Sequence, residues 1–339
     1  MIAAAPLRHI VLAFCMSFPL TAFAGEAAKR PIPEPSPAFW KLKTETGTMY
    51  FLGSMHVLPV GFRWRTPVIE KAMAESDVFV FEVSMSGGSL RDGMAHIAGE
   101  YRLPKGQTLR SKMSAQGKKD FEDIARENGI NVKALDRFRP WIALDIISDF
   151  SDEDGEEKFV VTYGVDDRVA QFSEEKHKPR RYFETAEFQL KMLTRFDEGG
   201  IGEFEAALRE FKKKETPVSF LRMSELYVTG DLDALMKIAH GPSESKPFRK
   251  LILDERNKNW VEQIPAMLKQ RRTIFVTVGA AHMWGENSVI DLLCKKGFRP
   301  EKIDSKTAKA TAACTRPSPA ARAAAPAKLP PATPARAAL

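Results

Sequence analysis

The sequence predicts an α/β protein, with a central, largely parallel or mixed sheet flanked by helices and two repeat-like halves sharing one cleft. Three observations predict it. Short apolar runs such as Val78-Phe79-Val80-Phe81-Glu82-Val83 and Thr273-Ile274-Phe275-Val276-Thr277-Val278 alternate with amphipathic stretches, the pattern of buried strands separated by helices. The composition is globular, 44% hydrophobic and 28% charged over 339 residues, which excludes collagen, coiled coils and wholly disordered chains. Finally, a strand followed by Gly-x-x-His occurs twice, as Gly53 to His56 and as Gly279 to His282.

The ends are expected to lie outside this fold. Residues 1–24 read as a secretory signal: Arg8, an apolar stretch from Ile10 to Phe23, and Ala22-Phe23-Ala24 as a small-x-small cleavage site. That stretch is shorter than the roughly 20 residues a membrane span needs. An exported protein, periplasmic or secreted, follows as the expectation. Residues 305–339 are rich in Ala and Pro, carry six Lys or Arg and no acid, and read as a disordered cationic tail. Such a tail could give weak association with an anionic envelope surface. Removing both ends leaves residues 25–304 electrically neutral although the whole chain carries +7. A neutral body argues against a nucleic-acid surface. Cys294 and Cys314 are the cysteines left after signal removal, and an oxidising compartment would permit a bridge between them.

The elements follow in order. Gly47 to Leu52 forms a strand; Thr66 caps a helix with Pro67 in its first turn. The strand Val78–Val83 comes next, then a Gly-, Ser- and Met-rich insertion over 84–112. Ser114 caps a helix that ends at Gly129, and 134–150 form another containing Pro140. The acidic run 152–157 lacks calcium-loop spacing and reads as a solvated loop. A strand at 158–163 and a helix over 166–174 precede a strand, Arg180–Phe183, that delivers Glu184 at its end. Helices are expected at 185–196, 203–213 and 247–270, the last carrying Arg256, Asn257 and Trp260. The strand Thr273–Val278 and a helix over 286–296, stopped by Gly297, close the fold.

In α/β sheets, active groups collect beyond the carboxyl ends of the strands, where His56 and His282 would lie. A glycine before each histidine lets the backbone turn sharply off the sheet. Glu82 stands inside an apolar run, and a buried carboxylate is costly unless paired or bound to metal. Two readings of it stay open: a ligand beside the two imidazoles in a divalent-metal site with an open position, or a salt bridge to a buried Arg such as Arg256.

The segments "FWKLKTETGTMYFLGSMHVLP", "IEKAMAESDVFVFEV", "YGVDDRVAQF", "RYFETAEFQLKML", "ERNKNWVEQI" and "IFVTVGAAHMWGENSVIDLLCKKGF" together resemble the TraB/GumN family. That group includes the Tiki proteases and is related to erythromycin-esterase and ChaN-like proteins. The resemblance implies a metal-dependent hydrolase, most simply a peptidase acting on a peptide or protein, with manganese or cobalt as cofactor and zinc as an alternative. It further implies His56 and His282 as metal ligands, Glu82 as third ligand or general base, Arg256 as the group stabilising developing negative charge, and Glu184 as an acid of open role. The competing reading is an exported, non-catalytic protein that binds metal, haem or envelope polysaccharide in the same cleft.

Overall fold

The computed structural model describes residues 33–59, 61–84, 102–151, 161–194, 200–212, 220–240 and 249–314. The signal-like stretch, most of the insertion, the acidic run 152–157 and the chain beyond Cys314 lie outside the described residues. In chain order, β1 (Phe39–Lys43), β2 (Thr48–Ser54) and β3 (Val57–Pro59) precede α1 (Pro67–Glu75) and β4 (Val78–Val83). Among the described residues four helices follow: α2 (Leu109–Lys112), α3 (Ala115–Glu127), α4 (Val132–Leu135) and α5 (Pro140–Ser151). Next come β5 (Val161–Tyr163), α6 (Val165–Glu175), β6 (Arg180–Glu184), α7 (Ala186–Thr194), α8 (Ile201–Lys212), α9 (Phe220–Thr229) and α10 (Leu232–His240). A π-helical turn, Lys250–Asp254, runs into α11 (Glu255–Leu268); β7 (Thr273–Gly279) then leads through a 3-10 turn, Ala280–Met283, to α12 (Val289–Lys295), β8 (Glu301–Ile303) and β9 (Ala310–Ala312).

The fold is α/β. Its seven-stranded mixed sheet has the order β6-β4-β7-β2-β1-β8-β9. The first four strands of that order are parallel, and β1, β8 and β9 extend the sheet by antiparallel pairing. Strands from both parts of the chain interleave, so the expected repeat-like halves do not stand as separate units. Phe39, Tyr50, Phe79 and Phe275 pack ring against ring across four strands, and Phe172 of α6 covers Phe79. Each such burial contributes about 2–3 kcal/mol against solvent exposure. A second core, including Phe121, Leu135, Ile147 and Leu208, lies among α2, α3, α4, α5 and α8.

Local signals set several boundaries. Thr66 accepts a hydrogen bond from Ile69 N at 3.3 Å, capping α1 in front of Pro67. Ser114 caps α3 in the same way, accepting from Gly117 N at 3.0 Å. The single helix expected over 134–150 divides into α4 and α5, because Pro140 has no N–H and disfavours helical backbone at Arg139. The final helix begins at Val289 instead of residue 286, since Ser288 accepts from Asp291 N at 3.1 Å and so fixes the cap. Part of the insertion is regular: α2 lies in it, and Arg102 bridges Phe138. The boundary expected at residue 305 falls inside the β8–β9 hairpin. Ser305 is fully buried and donates to Pro37 O at 3.2 Å, and a Cys294–Cys314 disulfide closes the end.

Candidate active site

The parallel register of β2 and β7 sets Gly53 opposite Val278 and Ser54 opposite Gly279. Both Gly-x-x-His motifs therefore leave the sheet side by side, within one residue of each other in register. The glycines do not serve as left-handed turns; neither Gly53 nor Gly279 has a positive φ. Gly53 instead permits close approach, since a Cβ there would stand 3.0 Å from Ala280 Cα in the second motif. A third glycine is tighter still. A Cβ on Gly164, just before α6, would fall 2.0 Å from His56 O. Val165 N donates to Met55 O at 2.9 Å, tying the start of α6 to the first motif.

His282 is fully buried and belongs to a polar network centred on Arg256 of α11. Arg256 Nη2 donates to Glu82 Oε2 at 2.6 Å and to Glu184 Oε2 at 2.9 Å, while Nε donates to Glu184 Oε1 at 3.0 Å. Nη1 donates to Ile252 O at 3.3 Å and reaches His282 Nε2 at 3.1 Å. A guanidinium carries only donors, so His282 Nε2 is the acceptor and its proton sits on Nδ1, which donates to Asn257 Oδ1 at 2.6 Å. Asn257 Nδ2 donates to Asn287 O at 2.9 Å, which fixes the amide orientation. Gly279 N donates to Glu82 Oε1 at 2.6 Å, and Trp260 Nε1 donates to Glu184 Oε1 at 2.7 Å.

The electrostatics follow from this wiring. Burial alone would raise the Glu82 carboxyl, but Arg256, the two histidines and the Gly279 N–H bring it down to about 2. Burial lowers His282 to about 3, against the pull of Glu82 and with the help of Arg256 and His56, so it is neutral at physiological pH. Burial raises Glu184 in spite of Arg256.

His56 has a different setting. Its side chain is 14% exposed, and Nδ1 lies 3.0 Å from Asp166 Oδ2 in the first turn of α6. The two groups stand at ion-pair distance. His56 is close enough to lower the titration of both Glu82 and His282. Tyr227 of α9 supports the same corner by donating from its hydroxyl to Gly53 O at 2.7 Å. All five singled-out residues thus gather at the carboxyl ends of the parallel strands: Glu82, Glu184, Arg256 and His282 in direct contact, and His56 beside them.

Residues 38–302 match the TraB/PrgY/gumN family. The chain belongs to this family. Uncharacterized protein YbaP of Escherichia coli K12 is 23% identical over 192 residues, covering 56% of this chain and 70% of YbaP. YbaP of Shigella flexneri matches with the same figures. No solved structure matches the chain.

For this TraB/PrgY/gumN member, the expected metal ligands were His56, His282 and Glu82. Among the described residues, no three His, Cys, Asp or Glu side chains converge as a metal-holding group. His282 Nε2 lies 3.8 Å from Glu82 Oε1, but Arg256 bonds to both residues and His56 pairs with Asp166. The donors as arranged do not fit a divalent ion. Arg256 is also committed: its five N–H donors meet Glu82, Glu184, His282 and Ile252. Asp166, Asn257 and Gly164 belong to the site although the sequence reading placed the first two only in helices. The Arg-Asn pair one turn before Trp260 was the available signal for Asn257, whereas Asp166 reads only as an acid in the first turn of α6.

Proposed function

We propose that the protein is an exported hydrolase of peptide or other amide bonds, with His56 as its general base. The observation that carries this reading is a partly exposed His–Asp pair at the carboxyl ends of parallel strands, beside a buried, charge-balanced network. A carboxylate near Nδ1 favours the tautomer protonated there, leaving Nε2 basic. His56 takes a proton from water as its oxygen attacks the scissile carbonyl carbon, Asp166 stabilises the imidazolium, and the proton passes to the leaving amine as the C–N bond breaks. Glu82, Arg256, Glu184 and His282 hold the second motif in place as the wall beside His56. The family match spans both Gly-x-x-His motifs, which lie within residues 38–302. The signal-like N-terminus supports export, as does the Cys294–Cys314 disulfide, a bond that persists in oxidising compartments.

The test is a peptide-library digest by the mature protein, followed by His56→Ala on any substrate found. Loss of about 10²–10⁴-fold in rate with an unchanged circular dichroism spectrum is expected. Full activity in His56→Ala would remove His56 from the chemistry. Tight binding of metal, haem or polysaccharide without turnover of any substrate would favour the binding-protein reading instead.

A further inference from the structure

We infer that the Arg256 guanidinium is the resident cation of this cluster, standing where a divalent metal was expected between His282 and Glu82. Three features carry the inference. The guanidinium meets the atoms a metal would need, with Nη1 3.1 Å from His282 Nε2 and Nη2 2.6 Å from Glu82 Oε2. The nitrogen of His282 facing it is also the only one with a free lone pair, because Nδ1 is protonated toward Asn257, whose orientation the Asn287 carbonyl sets. The remaining expected ligand, His56, pairs with Asp166.

Arg256 is also hard to displace. It is 3% exposed, its five donors are all engaged, and its Cζ lies 4.7 Å from the Trp260 ring centroid in a cation–π contact. An arginine does not vacate a site by losing its proton, so a metal could enter only by breaking several charge-assisted hydrogen bonds at once. One positive charge already balances Glu82, while Glu184 adds a second carboxylate that accepts from Nε and from the same Nη2. The inference concerns the cluster beside the His56–Asp166 pair and does not depend on the proposed hydrolysis: one is read from metal binding, the other from turnover.

The experiment uses the mature full-length chain, stripped with chelator and titrated with Mn²⁺, Co²⁺ and Zn²⁺. Bound metal is counted after desalting, and the ring nitrogens of His282 are followed by ¹⁵N NMR. Wild-type protein is expected to retain no cation whose binding Glu82→Gln or His282→Gln removes, and His282 is expected to stay in its neutral Nδ1–H form at one equivalent of Zn²⁺. Arg256→Met, which keeps length without charge, is expected to gain one divalent cation per chain. The inference is overturned if wild type retains one cation per chain that both variants lose, if the Nε2 signal moves on adding Zn²⁺, or if folded Arg256→Met binds no more than wild type. Should Arg256→Met fail to fold, the wild-type count and spectrum decide alone.

Discussion

His282 shows what a single buried side chain imposes on the rest. Its ordinary value of 6.5 falls to about 3, chiefly through burial, so the unfolded chain takes up a proton below about pH 6.5 that the folded chain refuses. The contribution to stability is therefore complete above that pH and declines as the pH drops toward 3. By pH 5 the loss from this group is about 2 kcal/mol. Glu82 acts in the same direction, beginning below its ordinary 4.5, whereas Glu184, raised by burial, acts in the opposite one. Urea unfolding at pH 7 and pH 5 should show wild type losing about 2 kcal/mol more than His282→Gln; equal losses would mean that His282 is not held neutral. Removing Arg256 with alanine should cost about 3–5 kcal/mol at neutral pH, because two buried carboxylates lose their counter-charge, and thermal melts beside Arg256→Lys would measure it. Sequence made Glu82 legible, since a lone carboxylate in an apolar strand demands a partner, and Arg256 was already one of its two candidate solutions. Asp166 was not legible as a site residue: nothing local distinguishes it from any acid in the first turn of a helix, and its meaning comes from the long-range meeting of α6 with His56.

Among the elements, β2 and β7 matter most, because their adjacency turns two distant motifs into one site. Their continuous apolar character was readable, as were the Thr66-Pro67 start of α1 and the Ser114 cap of α3. The β1, β8 and β9 pairings were not, since short strands take their stability from partners far away in the chain, and β9 consists of Ala-Thr-Ala with no apolar face to reveal it. What locks the elements together is close backbone packing at glycines. Gly164 has an ordinary negative φ, so its replacement by alanine is not a backbone problem; the new Cβ would instead strike His56 O at 2.0 Å. Neither atom belongs to a flexible side chain, so α6 or the His56 loop must move. Gly164→Ala is expected to lose most of any His56-dependent activity, and to lower stability by at least 1–3 kcal/mol as in overpacked cores. Gly53→Ala, with its contact of 3.0 Å to Ala280, should be the milder of the two. Activity and melting of the two variants side by side would check that ranking.

At the scale of the whole molecule, the chemistry stands at the middle of the sheet and the closing edge at one end of it. The histidines leave β2 and β7 in its parallel part, while β9 forms its far edge with all three residues exposed. Such a strand buries little apolar surface and, among the described residues, has only β8 as a ladder partner, so hydrophobic packing does not hold it. The Cys294–Cys314 disulfide supplies the missing constraint by tying the chain after β9 to α12, whose Leu293 is in the main core. A link across a sequence separation of 20 removes about 3 kcal/mol of unfolded-chain entropy in the loop-closure account. The loss seen on reduction should not exceed that figure, because the β8–β9 ladder and the Ser305–Pro37 bond keep part of the edge in place. Reduction, or Cys314→Ser, is therefore expected to speed amide exchange at Ala310–Ala312 well before it affects β2 or β7, and to leave the His56 corner and any turnover there unchanged. Hydrogen exchange with and without reductant checks this directly. Undiminished protection of β9 after reduction would show that its ladder alone is sufficient, and a simultaneous loss at β2 would show that the edge and the site are coupled through β1 rather than independent.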